Sequence, residues 1–216
     1  MPRQIDPDET FESLRDETWF TGARLADEPL AADLFDRTDD WQARIDASER
    51  ASRALDKDET QTEAARVGGN LVLDAACTDF GDDLLVAVSK DRASPRWRAF
   101  FRSSVSDFIL QPLSTQAVAV RGWLTDSDDE VLIQHKPVLE VANVRVERAI
   151  AREATLALRR ATFMQDREAL AGFISAQRDV LHADLSTLAR ANKLPRAWAD
   201  SFFRSSKGGK KRPVTP

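Results

Sequence analysis

Pro95-Arg96-Trp97-Arg98-Ala99-Phe100-Phe101-Arg102-Ser103-Ser104 returns about a hundred residues later as Pro195-Arg196-Ala197-Trp198-Ala199-Asp200-Ser201-Phe202-Phe203-Arg204-Ser205-Ser206. Both stretches run Pro-Arg, then Trp, then Phe-Phe-Arg-Ser-Ser, and both follow a long amphipathic pattern. Pro-Arg recurs at an offset of 100 and Trp at 101. Self-similarity at a fixed spacing marks a repeat architecture. Asp83-Leu84 and Asp184-Leu185 extend the match upstream, and Gly22 with Gly122 adds a weaker one. The chain therefore reads as two tandem repeats of roughly 100 residues, 1–105 and 106–206, followed by a basic tail at 207–216.

Each repeat reads as helix. The segment from Asp27 to Asp56 opens on Asp-Glu-Pro and places Leu30, Leu34, Trp41, Ile45 and Leu55 at helical spacings. Asp56-Lys57-Asp58-Glu59-Thr60 is expected to turn a corner. A second helix to Lys90 then carries the stripe Leu73, Cys77, Phe80, Leu84 and Val88. Gly68-Gly69-Asn70 interrupts it and predicts a kink or a close helix contact. In the second repeat, Asp126-Ser127-Asp128-Asp129-Glu130 starts a helix to about Phe163, with Pro137 expected to bend it. Its small residues Ala142, Val146, Ala149, Ala157 and Ala161 form a stripe for close approach. After Met164-Gln165-Asp166 a last helix shows Leu170, Phe173, Ile174, Leu181, Leu185 and Leu188. Ala117 to Leu124 is the one stretch where a strand competes.

The fold class is all-α, and the expected architecture is an antiparallel helical bundle of two repeats, each a helical hairpin plus a short terminal helix. A lone hairpin with a one-sided stripe leaves apolar surface wet, so the copies should pack as helices 27–56, 59–90, 128–163 and 167–191. The other arrangement is two separate bundles, completed by helices at 8–25 and 113–124.

Composition narrows the class further. At 42% hydrophobic and 31% charged residues, the chain folds rather than staying disordered. No apolar run approaches the roughly 20 residues of a spanning helix, so no membrane role is expected. One cysteine, Cys77, builds no internal disulfide, and with no leader pattern at the start the expected location is cytoplasmic. Residues 1–105 hold 14 basic and 23 acidic side chains, while 106–216 hold 17 and 13, four of the cations being Lys207, Lys210, Lys211 and Arg212. An acidic first half repels phosphate, so nucleic acid is expected to bind only weakly, through the tail.

Chemical constellations are sparse. Asp179 and His182 sit three apart, and with Glu140 they form the weak case for a metal site; a carboxylate-bridged dimetal bundle needs two Glu-x-x-His pairs. Asp126-x-Asp128-x-Glu130 opens like a calcium loop, but Val131 stands where Gly is required and Pro137 where Glu is. Gly68-Gly69 lacks a phosphate-loop pattern, and Cys77 lies inside an apolar stripe. No cofactor is expected. The repeated box reads in two ways. It plugs the bundle end, or it offers Trp97, Phe100, Phe101, Trp198, Phe202 and Phe203, with Arg102 and Arg204 as polar anchors, to a protein partner or a second copy. Adjacent Phe side chains point about 100° apart on a helix, which predicts one of each pair exposed. The functional expectation is a non-enzymatic scaffold, adaptor or assembly component. The alternatives are a ligand- or metal-binding bundle enzyme and a nucleic-acid-associated protein acting through the tail.

Overall fold

The computed structural model describes residues 2–204. Met1 and residues 205–216, with the tail cations Lys207, Lys210, Lys211 and Arg212, lie outside the described residues. Every described regular element is a helix: α1 (Phe11–Ala26), a 3-10 turn (Ala32–Leu34), α2 (Arg37–Ala87), α3 (Pro95–Arg98), α4 (Val105–Ile109), α5 (Leu113–Asp126), α6 (Glu130–Ala191) and α7 (Arg196–Asp200). No helix is long and apolar enough to cross a membrane among the described residues. Ala117 to Leu124 is helical, inside α5.

Local chemistry sets the starts and stops. Thr10, Ser94 and Ser104 each accept a hydrogen bond from a backbone N–H in the first turn of α1, α3 and α4. Asp129 does the same for α6, accepting from Val131 N–H at 2.9 Å. The aspartate-rich run at 126–130 is thus a helix cap. The two long helices end alike. Lys90 N–H returns to the Leu85 carbonyl and Leu194 N–H to the Ala189 carbonyl, each at 2.8 Å. Ser89 (φ 54°) and Lys193 (φ 55°) take the left-handed conformation that this closure needs.

Two expected breaks are absent. Residues 56–60 continue within the 51-residue α2, and 164–166 continue within the 62-residue α6. Polar side chains do not stop a helix unless a backbone conformation forces it, and here Thr60 Oγ1 donates back to the Asp56 carbonyl at 3.0 Å. The hairpins 27–56/59–90 and 128–163/167–191 are corrected accordingly: each is one long helix, and α2 begins at Arg37, not Asp27. Pro137 lies inside α6. The close contact expected at the paired glycines is found, since a Cβ on Gly69 would lie 3.4 Å from Val146 Cγ2 and 3.6 Å from its Cα. The small-residue stripe is half right: Ala142, Val146 and Ala149 are buried, Ala157 and Ala161 exposed.

The chain divides into two compact units, one of residues up to Ala54 and from Arg160 on, the other of 55–159. The first holds α1, the start of α2, the end of α6 and α7; its core joins Leu25, Trp41, Leu181, Leu185, Phe202 and Phe203, with a second cluster around Ile45 and Ile174. The second holds the end of α2, α3 to α5 and the start of α6. Its core joins Leu73, Cys77, Phe80, Leu84, Trp97, Phe101, Val120, Trp123, Leu139 and Val146. Each unit draws the opening part of one sequence repeat and the closing part of the other, so the units do not coincide with residues 1–105 and 106–206.

Burial repeats along the chain at one constant spacing, mostly on the two long helices. Ala31 and Leu132, Trp41 and Ala142, Ile45 and Val146, Leu55 and Leu156, Leu73 and Ile174, Phe80 and Leu181, Leu84 and Leu185 are all buried, each pair 101 positions apart. Polar detail follows the same spacing. Gln42 donates to Asp46 and Asn143 to Glu147, both at 2.8 Å. Those carboxylates then take Arg15 and Arg121 respectively, from α1 and α5.

Candidate interaction surface

The repeated aromatic boxes lie inside. Phe100, Phe101, Phe202 and Phe203 are all buried, so the expectation that one of each pair stays exposed is corrected. Phe101 packs against Trp97 at 5.0 Å, Trp123 at 5.3 Å and Phe108 at 5.6 Å between ring centroids, while Phe80 meets Phe100 edge-on at 5.1 Å. Trp97 is buried and donates to the Ser103 carbonyl at 3.0 Å. In the second box Trp198 meets Phe202 at 4.9 Å and donates to Glu28 at 3.2 Å, and Arg178 lies over Phe203 at 5.3 Å. Short terminal helices place these rings against the long helices rather than toward solvent. Arg102 is exposed; Arg204 reaches Asp16 at 3.4 Å.

The remaining chemical candidates are engaged elsewhere. His182 is paired with Asp200 at 2.8 Å, Asp179 accepts from Gln4 at 3.2 Å, and Glu140 belongs to the other unit, with Lys136 at 4.0 Å. Among the described residues no three His, Cys, Asp or Glu side chains are grouped to hold a metal. His135 is paired with Asp83 at 2.8 Å. Burial pushes the Cys77 thiol up to about 12, so it stays protonated and unreactive near neutral pH.

Two features escaped the sequence reading. The first is a strap formed by the N-terminal segment on the end of α6. Ile5 N–H donates to Ser175 Oγ at 2.9 Å, and Arg167 donates to the Pro7 and Glu9 carbonyls. Buried Arg178 donates to Glu17 at 2.9 Å, and Arg3 reaches Glu17 and Glu9. These residues lie far apart in sequence, and no local pattern joins them.

The second is an exposed apolar face in the unit of residues 55–159. Ile133, Pro137, Val141, Val144 and Arg148 fall within about 80° of arc on α6, opposite buried Leu139, Ala142 and Val146. Val141 is 69% exposed, and Ile133, Val138 and Val144 are exposed beside it. On α2, Val67 and Leu71 flank Gly68, whose missing side chain makes room for the Arg145 guanidinium: a Cβ there would lie 3.0 Å from Nη2. Arg145 and Arg148 have no ion-pair partner among the described residues, and with Glu140, Val141 and Val144 they line a shallow groove. The signal was present in the sequence, because 131–146 is apolar on both faces, and a helix apolar all round either is enclosed or meets something.

The equivalent positions 101 residues away carry none of this. Ile133 corresponds to Ala32, Val138 to Arg37, Val141 to Asp40, Val144 to Ala43, Val67 to Glu168 and Leu71 to Gly172. The inward-facing pattern is shared while the outward face differs. Compared with known protein families, curated proteins and solved structures, the chain matches none of them.

Proposed function

We propose that this chain is a non-enzymatic helical scaffold or assembly component, built by tandem duplication of a unit of roughly 100 residues, and that it works through protein–protein contacts. The constant spacing of buried positions and of the Gln42–Asp46 and Asn143–Glu147 pairs supports the duplication. One observation carries the functional reading. The outward valine face around Val141 is replaced by small or charged residues at every equivalent position, so the fold does not need it. Contiguous exposed apolar surface costs solubility, and it is kept where it binds something. The first aromatic box, Trp97, Phe100 and Phe101, belongs to the core of the unit that carries this face.

The test grafts the other repeat's surface onto this one. Val141→Asp with Val144→Ala should leave the unfolding free energy within about 0.5 kcal/mol of wild type, because both side chains are exposed. A photo-crosslinking residue at Gln134, beside the face, should give a defined protein adduct under native conditions, and the double substitution should abolish it. An adduct pattern unchanged by the substitution would refute the reading.

A further inference from the structure

The chain carries a second exposed surface whose chemistry complements the valine face. Between α1 and α2 the segment 27–36 exposes Leu30 and Phe35 among Asp27, Asp33 and Asp36. None of these three carboxylates has an ion-pair partner among the described residues, so the corner carries uncompensated negative charge. It is also held in shape. Backbone bonds run from Ala31 N–H to the Glu28 carbonyl at 2.9 Å and from Leu34 N–H to the Ala31 carbonyl at 2.9 Å, Ala31 is buried, and Trp198 fixes Glu28. A corner already ordered in the free chain loses little entropy on binding.

We propose that the valine face of one copy takes the 27–36 corner of a second copy. This rests on the reading of that face as a protein-binding surface and names its occupant. The face presents Ile133, Val138, Val141 and Val144 beside unpaired Arg145 and Arg148; the corner presents Leu30 and Phe35 beside unpaired Asp27, Asp33 and Asp36. Apolar area meets apolar area, and the free cations meet the free anions. Both surfaces are open in the single chain. They differ from one another, so the contact is heterologous: each copy uses its face on one neighbour and its corner on another. Two faces would instead oppose unpaired arginines, and two corners unpaired aspartates.

Sedimentation equilibrium on the full chain tests this over about 5 to 500 µM, the range suited to a contact of modest area. The weight-average mass of wild type should rise with concentration to at least twice the chain mass of 24.1 kDa. Raising salt from about 0.05 M to 0.5 M should lower it, because exposed charge pairs are screened. Val141→Asp with Val144→Asp blocks the face, and Asp33→Lys with Asp36→Lys blocks the corner. Each variant alone should stay at one chain mass, and an equimolar mixture should form a complex of two chains and stop there. Arg148→Glu, which introduces no polar group into an apolar site, should weaken association in the same sense. Matching helical melting curves establish that every variant is folded. The proposal is overturned by a wild type that remains at one chain mass throughout, by blocked variants that associate as wild type does, or by a mixture that stays monomeric while wild type assembles. A monomeric wild type leaves the crosslinking result at Gln134 to decide the broader reading independently.

Discussion

Phe101 is enclosed by Trp97, Phe80, Phe108 and Trp123, and that setting decides what its loss does. Phe101→Ala should cost about 3–5 kcal/mol in urea denaturation, the price of a large cavity, whereas exposed Arg102→Ala should fall within about 0.5 kcal/mol of wild type. Equal effects at the two positions would contradict a core role for the box. The Arg178–Glu17 pair behaves differently because it is charged and buried. Arg178→Met alone should destabilise by about 3–5 kcal/mol by leaving Glu17 without its closest partner, while Arg178→Met with Glu17→Gln should recover most of that loss. A double variant as unstable as the single one would show that the arginine acts through packing alone. At the start of α6, Arg96 holds the Asp129 carboxyl below the usual carboxylate range, helped by the Val131 and Leu132 N–H groups against a desolvation penalty. A carboxyl depressed in the folded state contributes stability above its unfolded value near 3.9 and loses it as pH falls through the folded one. Denaturation followed from about pH 5 down to pH 2 should therefore show Asp129→Asn as less stable than wild type at the upper end, with the gap closing toward the lower end.

Among the elements, α2 and α6 show what a sequence can and cannot announce. The stripe Leu73, Cys77, Phe80, Leu84 was legible because apolar residues recur there at spacings of four, three and four, and all four are buried. The continuity of α2 through 56–60 was not, because aspartate and threonine cap helices as readily as they decorate their solvated faces, and only tertiary position separates the two roles. The boxes were legible as a repeat, with a core reading and an interface reading both open, since Trp, Phe and Arg are residues of interiors and of interfaces alike. The valine face was obscured by the buried leucines and alanines interleaved with it. Glycine positions make the packing of α2 testable. A Cβ on Gly81 would run into Val105 Cγ2, with the Phe101 ring 3.4 Å away, so the packing around it must shift. Gly81→Ala should destabilise by about 1–3 kcal/mol despite the higher helix propensity of alanine. Gly172, exposed on α6 with open space where a Cβ would stand, should instead gain about 0.5–1 kcal/mol as alanine. Guanidinium melts of the two variants would show shifts of opposite sign, and a shared sign would mean that propensity outweighs packing at Gly81.

For the whole molecule, what governs is that each compact unit is assembled from distant parts of the chain. Neither half of the chain contains a complete unit, since one unit needs the start of α2 with the end of α6 and the other needs the reverse. Residues 1–104 and 105–216, produced separately, should each show reduced helix and no cooperative melt, and should regain both on mixing at a one-to-one ratio. Circular dichroism of the fragments alone and together reads this directly, and a fragment that melts cooperatively as a monomer would contradict it.

The same division imposes an order on biosynthesis. The unit of residues 55–159 has all its parts once the ribosome has passed α6's midpoint. The first 54 residues, with Leu14, Trp41 and Ile45 destined for the interior, must wait for Ile174, Leu181 and Phe202 to be made. At roughly 5–20 residues per second that wait lasts several seconds or more. The nascent segment that waits is also the most acidic of the chain, with 14 carboxylates in its first 50 residues. Like charge of that sign opposes association between neighbouring nascent segments.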